Sequence, residues 1–225
     1  MFANTFYRLA GKQIKALVQP HGFKKSGRFF YRITEEGIVQ QFCLLWLQGF
    51  FTVRFYLSSI YSDNEKGNEG EEIYMLINGS FNEWLSDAYS DSIQPTISFV
   101  TTAAEVCTQA VQNTLLPFFE SHKDPMSARA AIIRHNACID QGAEKYDIRE
   151  LGLFLSLGDT ASARDYLKYH IDNCDRFNHL WWQDVEQEYR QLLAAICAGD
   201  QEYLSSYMND KKSKTYAMYK WTGRK

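Results

Sequence analysis

Long uninterrupted apolar runs are missing from this chain of 225 residues. Polar residues and a glycine interrupt even its most apolar stretch, residues 42–55, at Gln48, Gly49, Thr52 and Arg54. A membrane-spanning helix needs roughly 20 consecutive, largely apolar residues. The first residues also lack the apolar stretch and the small-residue cleavage site of a secretory signal. These absences predict a protein that does not span a membrane and is located in the cytoplasm.

Cysteines are few and far apart. The chain has five, an odd number, and no two of them stand at a CxxC spacing. A protein that depends on disulfides or structural zinc usually has an even or closely spaced set. We therefore expect buried free thiols in a reducing compartment at Cys43, Cys107, Cys138, Cys174 and Cys197.

Sequence signatures of common enzymes are absent as well. The chain contains no HExxH, GxSxG, GxxxxGK or GxGxxG pattern, which disfavours zinc proteases, serine hydrolases and nucleotide-binding enzymes. The nearest approach to a metal-binding spacing is His170 with Cys174, followed by Asp175 and His179, and no second ligand pair accompanies it. We predict no catalytic residue, no cofactor and no metal site. An enzyme remains an alternative if the fold gathers His135, His170 or His179 with acidic residues.

Acidic residues are missing from the first 33 positions, which contain seven lysines or arginines. Residues 205–225 repeat this bias, with six basic residues and one acid. Because the whole chain has a net charge of −3, the part between, residues 34–204, carries −15, from 11 basic and 26 acidic residues. Basic ends thus flank an acidic body. The charges either offset one another within the fold or leave the acidic body to meet a cationic partner.

The residues that are present indicate an α+β fold in the N-terminal half. Apolar residues at helical spacing predict a helix over residues 3–18, which Pro20 and Gly22 end. The polar, acidic segment 62–72 is typical of an exposed loop. Between them, β-branched and aromatic residues separated by turn residues predict an antiparallel meander of three strands, Arg28–Ile33, Ile38–Leu47 and Phe50–Ser58.

The signals that follow this loop are weaker. Residues 73–77 fit a further strand or a short helix, and residues 93–100 fit a last strand. Thr101 or Thr102, with Glu105 one turn later, then predicts the start of a helix that runs to residue 119.

From residue 125 onward the pattern is helical. Two junctions, Gly158-Asp159 and Gly199-Asp200, place a glycine that can end one helix before an aspartate that can cap the next. They predict tight helical hairpins in a small bundle, with helices over residues 126–141, 147–157, 160–174, 181–198 and 201–208. We therefore predict two domains, an α+β domain over residues 1–122 and an α-helical domain over residues 123–225 packed on it.

The segment that joins the first helix to the sheet carries a motif. Its residues are Gly22-Phe23-Lys24-Lys25, Gly27-Arg28, Phe30-Tyr31-Arg32, Gly37, Val39-Gln40 and Phe51-Thr52-Val53. On this motif, residues 3–120 resemble the bacterial family of domain of unknown function 4304. The resemblance implies an α+β domain with an antiparallel sheet and brings no established activity. Some similar bacterial proteins are suspected immunity proteins, which neutralise a toxin by binding it.

The chain departs from that family where polar residues are expected in the sheet. It has Cys43-Leu44-Leu45 in the second long strand and Arg54-Phe55-Tyr56 at the end of the third. The sheet is therefore more apolar here, and a site built on those polar positions is in doubt.

Two interpretations fit the four cations of the motif, which are Lys24, Lys25, Arg28 and Arg32. They form either a basic sheet edge, which discourages aggregation between strands, or an anion-binding site. Charge at a sheet edge is a common structural device, so we favour the first reading.

A protein-binding role is our leading functional hypothesis, with a basic toxin as one possible partner of an immunity protein. An acidic surface speeds association with a cationic partner. The hypothetical contacts lie on the acidic loop and the segment after it, at Asp63, Glu65, Glu69, Glu71, Glu72, Asp87 and Asp91.

Nucleic-acid binding through the basic, aromatic chain ends is the alternative. Cations hold phosphates while aromatic rings stack on bases. At the C-terminal end the candidate contacts are Lys211, Lys212, Lys214, Lys220, Trp221 and Arg224. A terminal helix that packs its aromatic rings on the bundle would show the same pattern.

Overall fold

The structure is a computed structural model that describes residues 2–47, 50–62, 71–72, 96–139, 146, 149–174 and 179–220. The chain divides into two compact units. The first comprises Met1–Leu57 and Lys66–Ser127, and the second comprises Ser58–Glu65 and Ala128–Lys225. An antiparallel sheet with helices forms the first unit and helices dominate the second, so the predicted α+β class is confirmed.

The first unit begins with helix α1, Phe2–Val18, followed by a short 3-10 turn, Gln19–His21. Its sheet has five strands in the order β1-β2-β3-β4-β5. The three long ones match the predicted meander, and two short strands flank it. Their bounds are β1 Lys24–Ser26, β2 Phe29–Ile33, β3 Ile38–Leu47, β4 Phe50–Ser59 and β5 Glu71–Glu72.

A tight turn at Gly27 creates the first edge strand. Lys24 pairs with Tyr31 and Ser26 with Phe29, so only Gly27 and Arg28 join β1 to β2. Gly27 has a φ of +60°, which the first central residue of this kind of hairpin turn requires and which glycine adopts without strain. An added Cβ at Gly27 would meet no atom within 4 Å, so the turn needs glycine for its φ and not for space.

Aromatic rings fill the core between α1, the sheet and the helix that follows. Phe30 and Phe42, which are register partners, stack with ring centroids 4.8 Å apart. The ring centroid of Phe6 in α1 lies 5.2 Å from that of Trp46 and 6.1 Å from that of Phe51. Every residue of β3 from Ile38 to Leu45 is buried, and because side chains alternate along a strand, both faces of β3 are covered.

The helix after the sheet starts earlier than expected. Helix α2 is Ile97–Ala110, and it continues through a π-helical turn, Val111–Leu115, into α3, Leu116–Ser121. The Thr96 side chain caps it by accepting a hydrogen bond from the Phe99 backbone N–H at 3.1 Å. The predicted strand over residues 93–100 is therefore wrong for its described part, and so is the cap at Thr101 or Thr102. β-Branched residues at the helix start gave a misleading strand signal.

The remaining helices follow the predicted order, and all but the first three residues of the first of them belong to the second unit. They are α4 Pro125–Ile139, α5 Glu150–Ser156, α6 Thr160–Asp172, α7 His179–Ala198 and α8 Gln201–Met218. Both predicted hairpin junctions are confirmed. Gly158 and Gly199 each have a φ of +67°, and Asp159 and Asp200 cap α6 and α8 by accepting from the backbone N–H groups of Ser162 and Tyr203. Helix α8 runs ten residues past its expected end at Met208.

The chain that leaves β4 is part of the second unit's interior. Thr215 of α8 donates to the Ile60 carbonyl at 3.0 Å, and the Ser59 and Ser156 hydroxyls lie 2.6 Å apart. A Cβ on Gly152 would lie 2.3 Å from the Ser62 hydroxyl oxygen. Glycine is required there because only a residue without a side chain permits this approach.

Candidate functional site

The acidic residues predicted to bind a partner are described at two positions. Glu71 and Glu72 form β5, where they pair in antiparallel register with Phe55 and Arg54 of β4. In the described part of the sheet β5 is an edge strand, and the basic strand β1 is the other edge. The remaining predicted contacts lie outside the described residues, namely Asp63, Glu65, Glu69, Asp87 and Asp91.

The cations predicted for nucleic-acid binding on α8 have partners within the second unit. Lys211 is buried, and its ammonium lies 2.8 Å from a Glu188 carboxylate oxygen. Lys214 pairs with Asp210 at 2.7 Å, and the Lys212 ammonium lies 5.6 Å from the centre of the Tyr216 ring. Carboxylates therefore offset the charges of Lys211 and Lys214, whereas the described neighbour of Lys212 is an uncharged ring.

The end of this predicted set follows α8 directly. Lys220 is exposed with a φ of +48°. Trp221 and Arg224 lie outside the described residues.

The basic sheet edge consists of Lys24 and Lys25, both exposed, with Arg28 half-buried in the adjoining turn. Lys25 donates to the Gly27 carbonyl, and its ammonium lies 5.7 Å from the centre of the Phe30 ring. Arg28 lies over the Phe29 ring at 5.3 Å. This arrangement agrees with the structural reading of these three cations as an edge.

Arg32 does not belong to this edge, because it is buried at the centre of a polar cluster. Its Nε donates to the Gln40 side-chain oxygen at 2.6 Å, and Gln40 is its register partner on β3. Its Nη1 donates to the His21 carbonyl at 2.7 Å and to the Glu120 carboxylate at 2.8 Å. The guanidinium also lies 4.7 Å from the centre of the Phe23 ring. One side chain thus joins the sheet, the turn after α1 and the end of α3.

Gln40 also belongs to this cluster, and it donates hydrogen bonds to carbonyls at the C-terminal end of α3. Its amide nitrogen donates to the Phe119 carbonyl at 2.7 Å and to the His122 carbonyl at 2.9 Å. Carbonyls at a helix C-terminus have no partner within the helix. The buried amide therefore gives these carbonyls partners and anchors the helix end on β3.

Glu120 is the acidic member of the cluster. Burial would raise its pKa, but hydrogen bonds from Lys123 and Arg32 and their positive charges lower it to about 2. His21 also approaches the carboxylate, at 3.4 Å. A carboxylate held ionised by such partners does not exchange protons near neutral pH, so Glu120 is suited to an anchor and unsuited to acid–base catalysis.

This cluster escaped sequence reasoning because its members are far apart in the chain. Arg32 and Glu120 are separated by 88 positions. The only local signals were Glu120 and Lys123 at a spacing of three, and an arginine within a strand otherwise rich in aromatic residues.

His170 is the first residue of the spacing that came nearest to a metal-binding pattern in the sequence. In the structure it lies in an aromatic environment. Its ring centroid is 4.3 Å from that of Tyr166, 5.4 Å from that of Tyr169 and 6.1 Å from that of Tyr189. Burial lowers its pKa to about 4. No group of three or more His, Cys, Asp or Glu side chains suited to a metal ion occurs among the residues that the structure describes.

The cysteines for which the structure describes side chains are free thiols. The predicted burial is confirmed for Cys43 and Cys107 and is wrong for Cys174, which is half-buried, and for Cys197, which is exposed near the end of α7. Burial raises the pKa of Cys107 well above its ordinary value, which makes it a poor nucleophile. The side chains of His135 and Cys138 lie outside the described set.

None of the helices in the described residues combines the length and the apolar character needed to cross a membrane. Comparisons with protein-family models, curated proteins and solved structures found no match to this chain. The resemblance to the family of domain of unknown function 4304 therefore stays a prediction.

Proposed function

We propose that this protein is a cytoplasmic protein-binding module that captures a cationic protein through its acidic segment, residues 63–91. The observation that supports this proposal is the position of Glu71 and Glu72, which form the edge strand β5 beside β4. The sheet therefore fixes one part of the acidic segment at a defined place. A fixed acidic surface attracts a basic partner and orients it.

The charge of the segment supports the same proposal. Residues 63–91 contain eight acids and one lysine, a net charge of −7. Such a field raises the rate of association with an oppositely charged protein by one to three orders of magnitude at low salt. An edge strand also offers backbone groups that an extended segment of a partner can pair with.

A basic toxin has the chemistry that this surface requires. In that case the protein acts as an immunity protein and neutralises the toxin by covering it. The resemblance to family 4304 is consistent with this role, because some similar proteins are suspected immunity proteins.

Affinity capture from a lysate of the protein's own host, with and without nuclease, tests the proposal. We expect a cationic protein to be retained after nuclease treatment. Its association rate with the purified chain is then measured for Glu71→Lys/Glu72→Lys, and for Glu35→Lys/Glu36→Lys as the matched control. Glu35 and Glu36 are exposed in the turn between β2 and β3, so the control makes the same charge change elsewhere in the first unit.

We expect the β5 variant to associate about tenfold more slowly, with a weaker dependence on salt, because the attraction is electrostatic. The control variant is expected to change the rate far less. Equal rates for wild type and the β5 variant, or loss of every partner on nuclease treatment, would overturn the proposal.

Nucleic-acid binding by the C-terminal cations remains the alternative proposal, and the nuclease arm tests it. Deleting residues 209–225 is unsuitable because it removes the buried Lys211, Thr215 and Tyr219. Substituting the exposed Lys214 and Lys220 with glutamine tests the same idea without disturbing the core.

A further inference from the structure

Three cations share one exposed face of α1. Arg8, Lys12 and Lys15 follow one another at spacings of four and three residues, so they form one stripe that rises about 10 Å along the helix axis. All three are exposed, while Phe6, Ala10 and Ile14 bury the opposite side of the helix. The stripe therefore points to solvent.

Lys25 extends this stripe from the helix to the sheet edge. The Lys25 side chain lies against Gly11, since a Cβ added to Gly11 would be 3.1 Å from the Lys25 Cε. Gly11 precedes Lys12 and is one helical turn from both Arg8 and Lys15. We call Arg8, Lys12, Lys15 and Lys25 the basic face.

The stripe on α1 has no acidic partner in the described part of the molecule. Residues 1–33 contain no acid, and Arg8, Lys12 and Lys15 form none of the ion pairs found among the described residues. Helix α2 contacts α1 at Gln13, which accepts a hydrogen bond from Thr108 at 3.0 Å. Gln13 lies more than 90° around the helix from the cations, by the 3.6-residue period. The exposed Glu105 of α2 forms none of the ion pairs found among the described residues.

The composition of this surface favours one class of anionic partner. Helix α1 has no exposed large apolar side chain, whereas a helix that binds a membrane surface inserts such residues. The centre of a protein interface likewise needs buried aromatic or aliphatic anchors. A surface that has cations and no exposed large apolar side chain matches the regular, dense charge of a phosphodiester backbone.

We propose that the basic face binds the phosphate backbone of a nucleic acid without reading its sequence. This binding site lies on the N-terminal helix, so it is distinct from the acidic segment of the proposed function and from the C-terminal cations. Four phosphate contacts predict that the logarithm of affinity falls with the logarithm of salt with a slope of about −3 for single strands and about −4 for a duplex.

Fluorescence anisotropy with a labelled oligothymidylate and a labelled DNA duplex tests the proposal across about 50 to 200 mM NaCl. For the wild-type chain we expect binding that weakens roughly 50-fold over this range for the single strand. The test variant is Arg8→Gln/Lys12→Gln/Lys15→Gln, which keeps Lys25 and its packing. The matched control, Arg164→Gln/Lys168→Gln/Arg190→Gln, removes three exposed cations from the second unit that belong to neither candidate site.

We expect the test variant to bind at least tenfold more weakly and its salt slope to shrink by about two, because three phosphate contacts are removed. The control is expected to retain wild-type affinity. Circular dichroism verifies that both variants keep their helices. A competition arm adds polyglutamate, and a further arm replaces the oligonucleotide with phosphatidylserine vesicles.

Four results would overturn the proposal. The first is absence of binding to either oligonucleotide at the lowest salt. The second and third are wild-type affinity in the test variant and an equal loss of affinity in the control. The fourth is displacement of the oligonucleotide by polyglutamate, or binding to vesicles at least as strong as to nucleic acid. Comparison of the single strand with the duplex identifies which form is preferred.

Discussion

Helices α1 and α8 lie near opposite ends of the chain and are both rich in lysine, yet their charges are arranged differently. On α8, Lys211 reaches Glu188 of α7 and Lys214 reaches Asp210 one turn before it. On α1, Arg8 and Lys12 have no such neighbour among the described residues. Two segments of similar charge in the sequence therefore produce different surfaces, because the position of the acids decides which cations remain available.

The two units also keep buried titratable groups in different ways. In the first unit, Arg32, Lys123 and the ionised Glu120 stabilise one another. In the second unit, aromatic rings surround His170 and keep it neutral. The first arrangement stabilises charges by pairing them, and the second excludes a charge.

Acidification should therefore weaken the second unit before the first, which is the largest effect that we expect. The pKa of His170 is about 4 in the folded protein and 6.5 ordinarily, so the unfolded chain binds more protons between these values. The free energy of unfolding is therefore unaffected by protonation of His170 above pH 6.5, and it decreases as the pH falls towards 4, because folding holds His170 neutral. The loss is at most roughly 3 kcal/mol.

Glu120 affects stability in a lower pH range than His170, so the pH dependence distinguishes the two units. Its pKa is lowered from 4.5 to about 2, so its contribution is present above pH 4.5 and is lost below it. Hydrogen exchange resolved by peptide, at pH values between 6.5 and 4.5, should show protection falling in α6 and α7 and holding in α3. His170→Phe should flatten the change in α6 and α7. A variant with an unchanged pH profile would remove His170 as the cause.

Removing a cation should also affect the two terminal helices unequally. Lys211→Met takes away the partner of Glu188, whose carboxylate also accepts from the Tyr207 hydroxyl at 2.8 Å. Because the Lys211 side chain is only 6% exposed and Glu188 is partly accessible, we expect a loss of about 1–2 kcal/mol in the free energy of unfolding. Lys12→Met, on the exposed face of α1, should stay within about 0.5 kcal/mol of wild type.

Urea denaturation followed by circular dichroism measures both variants. The double variant Lys211→Met/Glu188→Gln is expected to recover part of the loss, since it no longer leaves a carboxylate without its cation. Equal destabilisation by Lys12→Met and Lys211→Met would show that burial of the ion pair is not what distinguishes the helices.

Local signals made much of this fold predictable from sequence. Gly158-Asp159 and Gly199-Asp200 marked helix junctions because a left-handed glycine and a capping aspartate act within a few residues of each other. The long strands β2, β3 and β4 were predictable for a similar reason, since β-branched and aromatic runs end at turn residues. Strand β1 was missed because three residues carry too little periodicity to recognise.

Other features depended on residues distant in sequence. The segment 97–100 has a composition that fits a strand or a buried helix, and the cap at Thr96 decides between them. Lys211 is one of three lysines within four residues of the sequence, and only the packing of α7 against α8 shows that it is buried. The role of Arg32 required knowing that Gln40 and Glu120 converge on it. The charges of the candidate sites could be counted from the sequence, whereas the fold determined which of them remain exposed.

The smallest effect should have opposite signs on the two helices. Arg8 and Lys12 are like charges four residues apart and repel each other, so Lys12→Gln should stabilise the protein by about 0.2–0.5 kcal/mol at low salt. Asp210 and Lys214 attract each other at 2.7 Å with the same spacing, so Lys214→Gln should destabilise it by a similar amount. Both shifts should nearly vanish at about 1 M NaCl, where screening acts over about 3 Å. Urea midpoints at both salt concentrations measure this, and shifts of the same sign would mean that the charge on α1 is offset by a partner after all.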